Sequence, residues 1–506
     1  MARVVVIGAG MGGLSVAARL AAGGHRVTVC EQAATYGGKL GRLARDGFVF
    51  DTGPHLLTLP AVYRDLFRAT GAPLEDVLEL VPVDPACHYR FADGVELDVP
   101  NVSRPRIAAA WDDALGAGAG ADWTMFSDRA RRIWDATRGT FLESALDGPR
   151  ALASQARRVG DLRTVAPWRS LRGLGRRYLR HPHQRTWLDR YATYTGSDPR
   201  RAPAALATVP FVEQSFGAWY VPGGLHRLGD AVAERATGCG AELRTGADVA
   251  AVIVDGGRAC GVRLADGEHL PADVVVANAD ATHLYRDLVA PQAPAAAVGP
   301  MAALRRTSPS LSGVVLLLAL RGRTPGLRHH TVLFPQDYDD EFDSVFGTGR
   351  CAASGPRPVP DPTVYISAPD DPALRPDDDH EGWFVLVNAP RHSRQGPGGV
   401  DWTAPGFASS YADRILAVMA ARGLDVRDRV LWREVRTPAD LERDTRSVGG
   451  SIYGTSSNGA RAAFLRPANR SPVPGLFLVG GSSHPGGGLP LVGLSAAIVA
   501  GLIGRA

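Results

Sequence analysis

Gly8, Gly10 and Gly13, Glu31 and Lys39 are the residues of this sequence whose types and spacing imply chemistry most directly. Gly8-Ala9-Gly10-Met11-Gly12-Gly13 fits the pattern G-x-G-x-x-G. Gly8 permits a tight turn, Gly10 lets the backbone approach a pyrophosphate, and Gly13 lets the following helix pack against the preceding strand. Met11 and Gly12 complete the glycine loop, and the following helix would aim its free amides and the positive end of its dipole at an anion. Glu31 lies about 20 residues past the glycines, where a carboxylate can accept hydrogen bonds from the hydroxyls of an unphosphorylated ribose; Gln32 follows it. Lys39, in Tyr36-Gly37-Gly38-Lys39-Leu40, is the only lysine in a chain with 55 arginines. An ammonium is a compact point charge and a guanidinium a wide fork, so a compositional drift toward arginine would spare a lysine that a tight phosphate-binding loop requires. A replaceable surface lysine is the alternative.

These residues need strands and helices to hold them. Val4-Val5-Val6-Ile7 is a β-branched run suited to a strand buried on both faces of a parallel sheet. A helix over roughly residues 14–23 and a second strand, Val27 to Cys30, complete a β-α-β unit. Phe50-Asp51-Thr52-Gly53-Pro54-His55 follows a short strand-turn-strand. Much later, Tyr220 to Leu225 forms a glycine turn into an amphipathic helix, and Ala241 to Val249 reads as a short strand and turn. Val252 to Val254, Ala259 to Leu264 and Glu268 to Leu270 suggest a β-meander with a hairpin turn at Asp266-Gly267. Asp273 to Ala277 is another buried strand. At its exit, Asn278 and Asp280 either cap the next helix or reach a ligand. Near the C-terminus, Leu476 to Val479 is a last buried strand and Gly480 to Pro490 a loop rich in glycine. Leu491 to Ile503 is an apolar helix with Gly493, Ala496, Ala497 and Gly501 on closely packed faces; Leu491 and Val492, at its start, aim at the loop.

Taken together, these segments resemble the glutathione-reductase-type FAD proteins of the amine-oxidase and carotenoid-desaturase superfamily. Ser483-His484-Pro485-Gly486-Gly487-Gly488-Leu489-Pro490 resembles the terminal signature of bacterial phytoene desaturases, with Ser483 in place of a threonine and Leu491 in place of a glycine. Tyr194 to Pro199, Gly217 to Trp219, His329 to Phe334, Asp361 to Tyr365, Val385 to Pro390, Thr437 to Leu441, and Phe464 with Arg466, Pro467 and Asn469 extend the resemblance across most of the chain.

The resemblance implies an α/β fold with a Rossmann-like, glutathione-reductase-type FAD domain, discontinuous over residues 1–100, 220–300 and 440–506. An α+β substrate domain would be inserted from 101–219 and 301–439. It implies FAD contacts at Gly8, Gly10, Met11, Gly12, Gly13, Glu31, Gln32, Gly38, Lys39, Leu40, Gly53, Pro54 and His55. Further along, it implies them at Val249 through its backbone, and at Asn278, Gly480, Gly481, Leu491 and Val492. The implied activity is FAD-dependent desaturation of a hydrophobic isoprenoid, phytoene or a related acyclic carotenoid, by hydride transfer to flavin N5. A flavin-dependent carotenoid isomerase, a desaturase of another lipid or secondary metabolite, and a prenyl-binding chaperone are the alternatives. An isolated polyene has no carbonyl to acidify its allylic hydrogens, so the flavin must carry the hard step. Among polar residues only His55 stands where it could meet the ring or accept a proton; a turn residue is the other reading. His484 reads as shaping its loop.

Composition sets the outer limits. With 45% hydrophobic and 21% charged residues in 506, the chain is globular rather than disordered. No apolar run reaches the roughly 18 to 20 residues of a spanning helix. The sequence enters its first strand at Arg3, which leaves no room for a removable signal peptide. Five scattered cysteines without a C-x-x-C pair suggest reduced thiols and a cytoplasmic setting. A formal charge of +4 is too small to argue for nucleic acid. No metal site is expected. Asp337 to Asp343 has Phe342 where a calcium loop needs glycine and reads as a solvated acidic turn. Asp377 to Glu381 reads as a surface loop, and His329 and His330 on a strand would point to opposite faces. Within residues 150–190, ten arginines between Arg157 and Arg190 face only Asp161 and Asp189 and alternate with Trp168, Leu171, Leu174, Tyr178, Leu179 and Trp187. Such a stretch suits peripheral contact with an anionic membrane on its cytoplasmic side. It equally suits a solvated helical face whose apolar side is core. The oligomeric state leaves no trace in the sequence.

Overall fold

A computed structural model describes residues 1–146, 163–394, 396, 398–459, 462 and 466–506. The β-branched runs near the N-terminus and around residue 275 sit in a five-stranded sheet. Its order is Leu476–Leu478, Val274–Ala277, Arg3–Ile7, Arg26–Cys30, Glu242–Arg244, and every pairing is parallel. Alternation along one strand divides its side chains between two cores, as the twofold period of a strand requires. Val4 and Val6 pack with the helices Met11–Ala22, Ala61–Thr70, His226–Gly238 and Leu489–Ile503. Val5 and Ile7 pack with the meander Val249–Asp255, Arg258–Leu264, His269–Pro271 and with residues 284–289.

A second, mixed sheet has seven strands in the order Val430–Arg436, Ser312–Arg321, His380–Ala389, Val364–Ser367, His330–Leu333, Cys87–Arg90, Glu96–Val99. Helix Phe407–Ala421 covers one face through Ile415 and Met419. On the other face Leu317, Ala319 and Phe384 meet Phe48 and Phe50. Helices over residues 104–137 and 171–216 pack around Trp111, Trp123 and Trp187, all buried. The fold is α/β, with one parallel and one mixed sheet.

The structure departs from the sequence reading at several places. Strands Cys87–Arg90 and Glu96–Val99, expected with the first segment up to residue 100, hydrogen-bond instead to the mixed sheet through Thr331 to Leu333. The supposed acidic turn is helix Tyr338–Phe346. Asp337 caps it, and Glu341, facing inward, accepts from Thr363 N and Asn388 Nδ2, both at 2.7 Å. Asp343 is buried against Arg200 Nη1 at 2.7 Å. The helix is covered on most of its circumference, so Glu341 and Asp343, on different faces, are both buried. Of Asp377 to Glu381, the last two residues begin strand His380–Ala389. That mixed sheet also overturns the expectation for His329 and His330. The strand begins only at His330, so the two rings escape its alternation and lie 4.4 Å apart.

Residues 147–162, with Arg157 and Asp161 of the basic stretch, and Phe464 lie outside the described residues. In the described remainder, Leu171, Leu174 and Trp187 belong to the core, and Arg172 joins Asp189 at 2.8 Å and Asp339 at 2.6 Å. Trp168, Arg176 and Arg177 stay exposed. In the C-terminal helix Gly493 is tightly packed, since a Cβ there would stand 2.6 Å from Val62 Cγ1; Gly501 has nothing within 4 Å. Among the described residues no helix is long and apolar enough to cross a membrane.

Candidate functional site

The parallel sheet brings Ile7, Cys30, Ala277 and Leu478 to its carboxyl edge, the place where open α/β sheets bind ligands. The glycine loop leaves the first strand there. Gly8 N donates to Cys30 O at 2.7 Å, and Gly37 N, folding back, donates to Ala9 O at 2.9 Å. Gly13 seats its helix so closely that a Cβ would stand 2.0 Å from Gly8 O. Asn278 fills the space between the glycine loop and the C-terminal loop: its backbone N donates to Ile7 O at 2.8 Å. A Cβ on Gly480, where φ is +100°, would stand 2.4 Å from Asn278 Oδ1. Asp280, not Asn278, caps the next helix, accepting from Thr282 N at 2.9 Å and His283 N at 3.3 Å.

The other sequence-predicted residues distribute around this edge. Glu31 accepts from Ala9 N at 2.7 Å and Ala33 N at 3.0 Å. Each carboxylate oxygen retains a lone pair for a ribose hydroxyl. Gln32 Nε2 donates to Asp444 O at 3.0 Å. Met11 and Leu40 bury their side chains in one core, and Val249 buries its own in another beside Ile7 and Cys30, so only their backbones can face a ligand. Val492 packs against the first of those cores. Gly38 lies against Gly10, and Gly53 lies against Lys39 O.

Lys39 does not reach outward to the phosphate side as a free cation. Nζ donates to Ser451 O at 2.9 Å and Ile452 O at 2.7 Å, tying the Gly37-Gly38 turn to the C-terminal segment. Burial pushes its pKa down to about 8, against the pull of Asp280. One of its three hydrogens remains for a further acceptor.

Two helices start at this edge without a side-chain cap. Gly10 and Gly488 occupy the capping positions of Met11–Ala22 and Leu489–Ile503, and neither helix carries an acid in its first turn. Orphan amides at two converging helix starts, with a lysine nearby and a carboxylate on the neighbouring strand, fit a dinucleotide: phosphate on the amides, ribose on Glu31.

Gly53, Pro54, His55 and Gly486 to Leu491 also form part of the wall of a cavity of about 750 Å³. Leu59, Trp134, Leu206, Val209, Val212, Tyr365, Phe384 and Leu386 make most of the remainder apolar. His55 packs on Phe384 with ring centroids 3.9 Å apart, and its Nε2 lies 3.2 Å from Asp51 O. That contact makes Nε2 the protonated nitrogen and leaves the lone pair of the neutral ring on Nδ1. Burial lowers the His55 pKa, against the pull of Asp51, so the ring is neutral at pH 7. Burial also pushes His329 down to about 4. Asp51 holds this corner: it accepts from Leu225 N at 2.6 Å and His226 N at 2.8 Å, and meets His226 Nδ1 at 2.8 Å. Burial would raise its pKa, but the bond to His226 and the neighbouring imidazoles hold it below the usual carboxylate range. His484 is buried with Nε2 3.0 Å from Ser144 O, an arrangement that shapes its loop.

Sequence reasoning missed the Asp51–His226 pair and gave no site role to the cavity-wall residues Arg190, Glu213 and Tyr338. Asp51 and His226 stand 175 positions apart, and no local spacing announces their pairing.

Residues 11–378 match the family described as flavin containing amine oxidoreductase. The 4,4'-diapolycopene oxygenase of Methylomonas sp is 33% identical, covering 98% of this chain and 97% of its own. The hydroxyneurosporene desaturase of Rubrivivax gelatinosus is 35% identical over 98% and 92%, and the zeta-carotene-forming phytoene desaturase of Myxococcus xanthus 33% over 98% and 93%. Among solved structures, a putrescine oxidase bound to putrescine shares the fold with a TM-score of 0.64 at 15% identity, covering 99% of both chains. The cyclohexylamine oxidase of Brevibacterium oxydans shares it with a TM-score of 0.60 at 16% identity, again covering 99% of both.

Proposed function

The chain belongs to the flavin containing amine oxidoreductase family, an FAD-dependent oxidoreductase by that membership, and we propose that it desaturates a hydrophobic acyclic carotenoid. The observation that carries the reading is the apolar cavity of about 750 Å³ whose wall includes Gly53 to His55 and Gly486 to Leu491, beside a sheet edge fit for a dinucleotide. A polyene offers almost nothing to hydrogen-bond, and most of this wall is apolar.

In this reading the parallel sheet with its helices and meander is a glutathione-reductase-type FAD domain. It is assembled from the residues before Cys87, from 220–300 and from 440–506, with the mixed sheet and its helices as the inserted substrate domain. The first-turn amides from Met11 would hold the pyrophosphate, Glu31 the ribose, and the backbone of Val249 the adenine. The third hydrogen of Lys39, Gly38, Gly53 and Pro54, and the helix start at Leu491 and Val492 would hold the remainder. When bound, FAD supplies the hydride acceptor that a hydrocarbon without an activating carbonyl requires. Trp134, Tyr365 and Phe384 line the cavity and exclude water from it. His55 Nδ1, neutral at pH 7, is the atom that takes the proton lost from the neighbouring carbon. A water-insoluble substrate also gives the exposed Trp168, Arg176 and Arg177 a role as a contact with anionic lipid.

The test is anaerobic mixing of the FAD-loaded protein with phytoene or another acyclic carotenoid. Bleaching of the flavin and a product lighter by two hydrogens are expected; an unbleached flavin would sink the proposal. The likeness to a diapolycopene oxygenase supports a second reading, oxygen insertion, which adds oxygen mass to the product in air.

A further inference from the structure

In the proposed reading, desaturation takes a hydride and a proton from the polyene, and the proton is set free inside a mostly apolar wall. His55 and Tyr365 both line that wall and flank Phe384, with ring centroids 3.9 Å and 6.4 Å from it. Behind Tyr365 a line of rings runs toward the surface. Tyr365 Oη stands 2.9 Å from Nδ1 of His330, which is 2% exposed. The ring of His329, half-buried, lies 4.4 Å from that of His330 and 4.8 Å from that of Tyr220, whose Oη donates to Asp371 Oδ2 at 2.7 Å. Nε2 of His330 and Nε2 of His329 are both buried without a hydrogen-bond partner among the described residues. Each such atom costs stability, so two on adjacent rings call for a reason other than packing. Imidazole supplies one, since it can accept a proton at one nitrogen and give one up at the other. Burial, with His329, His55 and Arg190 nearby, holds His330 well below the ordinary histidine range. Burial and His55 outweigh Asp371 and set His329 at about 4. A proton therefore rests on neither ring at pH 7. An allylic cation is a far stronger acid than an imidazolium, so weak basicity does not impede uptake, and it favours onward passage.

Resting on the reading that the cavity desaturates a polyene, we propose that Tyr365, His330 and His329 form the path by which the released proton leaves the cavity for solvent. The hydride carries its electron pair to the flavin, and the electrons of the neighbouring C–H bond become the new double bond as its proton departs. That proton, taken up at His55 Nδ1, passes to Tyr365 Oη while the phenol's own proton moves to His330 Nδ1. His330 gives its Nε2 proton to His329 Nε2, and His329 releases its other proton to the surface beside Asp371. One proton enters the line and one leaves it. The two nitrogens without partners are the donor and the acceptor of the middle step.

The experiment mixes the full-length, FAD-loaded protein anaerobically with phytoene or another acyclic carotenoid in weak buffer containing a pH-indicator dye, and records flavin bleaching and proton release together. In the wild type, protons are expected to appear in step with bleaching. In His329→Ala, release is expected to lag at least about tenfold behind bleaching. Added imidazole should restore it, whereas pyrazole, of the same shape but hardly basic, should not. Tyr365→Phe should produce a similar lag; it removes only a hydroxyl, so it reports even where the histidine variant does not fold. Release that keeps step with bleaching in both variants overturns the path. A lag that pyrazole relieves as well as imidazole assigns His329 to packing and overturns the path too. Bleaching in the wild type without proton release overturns it and leaves the proposed function standing. A wild-type flavin that no acyclic carotenoid bleaches overturns the proposed function and this inference together.

Discussion

Lys39 concentrates what single residues contribute here. Composition alone singled it out, but the carbonyls it serves lie 412 and 413 positions away, beyond any local pattern. Its ammonium ties the Gly37-Gly38 turn to the segment at Ser451 and Ile452. Lys39→Met, which leaves Ser451 O and Ile452 O without their donor, is expected to cost about 2 kcal/mol in urea unfolding. Lys39→Arg should weaken FAD retention about tenfold by titration, because the planar fork cannot take the place of a compact charge. Unchanged stability and unchanged FAD affinity in both variants would mean that the lone lysine is incidental.

At the scale of elements, the helix starts decide where a ligand can sit. Gly13→Ala would press a Cβ against Gly8 O and Gly480→Ala would press one against Asn278 Oδ1, so both variants are expected to lose FAD during gel filtration. Gly501→Ala, in the open face of the same C-terminal helix, is expected to be neutral or to stabilise by up to about 1 kcal/mol. If all three behave alike, the close packing at the sheet edge is not what holds the cofactor. Helix Leu171–Tyr178 bears on the membrane question. Its apolar residues Leu171 and Leu174 are core, and Arg172 serves an ion pair, which leaves Arg176 and Arg177 for lipid. Replacing both with glutamine should reduce co-sedimentation with anionic vesicles severalfold and leave neutral vesicles unaffected. Binding that never depended on lipid charge would reject the contact.

For the whole molecule, buried imidazoles set the response to acid. His329 has a pKa of about 4 in the folded protein, whereas an unfolded histidine titrates near 6.5. Between those values the unfolded chain binds a proton that the folded chain refuses, so stability is lost as pH falls from about 6.5 toward 4. The loss amounts to about 1.4 kcal/mol per pH unit for this group. His329→Phe removes it, and its plot of unfolding free energy against pH should be shallower than the wild type by that amount over the same window. Parallel plots would show that His329 is not buried neutral. The two sheets also show how far reading along the chain can carry. The meander from Val249 was legible from alternation and its Asp-Gly turn, whereas a domain bound drawn at residue 100 took in strands Cys87–Arg90 and Glu96–Val99, which pair with the mixed sheet. The partner of Cys87–Arg90, His330 to Leu333, comes more than 200 residues later, and a strand's own pattern does not name its neighbour.

The sequence by itself determined the opening β-α-β unit with its glycines and Glu31, the terminal glycine loop with its helix, and the family. These are local: a turn, a helix start and the strand before it are specified by adjacent residues. Only the tertiary structure decided that Asn278 fills the gap between the two glycine loops, that Lys39 serves carbonyls of the C-terminal segment, and that Asp51 and His226 brace the cavity corner. It alone set Arg190 in the wall of that cavity among the rings of Tyr89, Tyr194 and Tyr365. Each of these depends on which distant segments become neighbours, and the free energy of a buried charge is fixed by that neighbourhood rather than by the residues beside it in the chain.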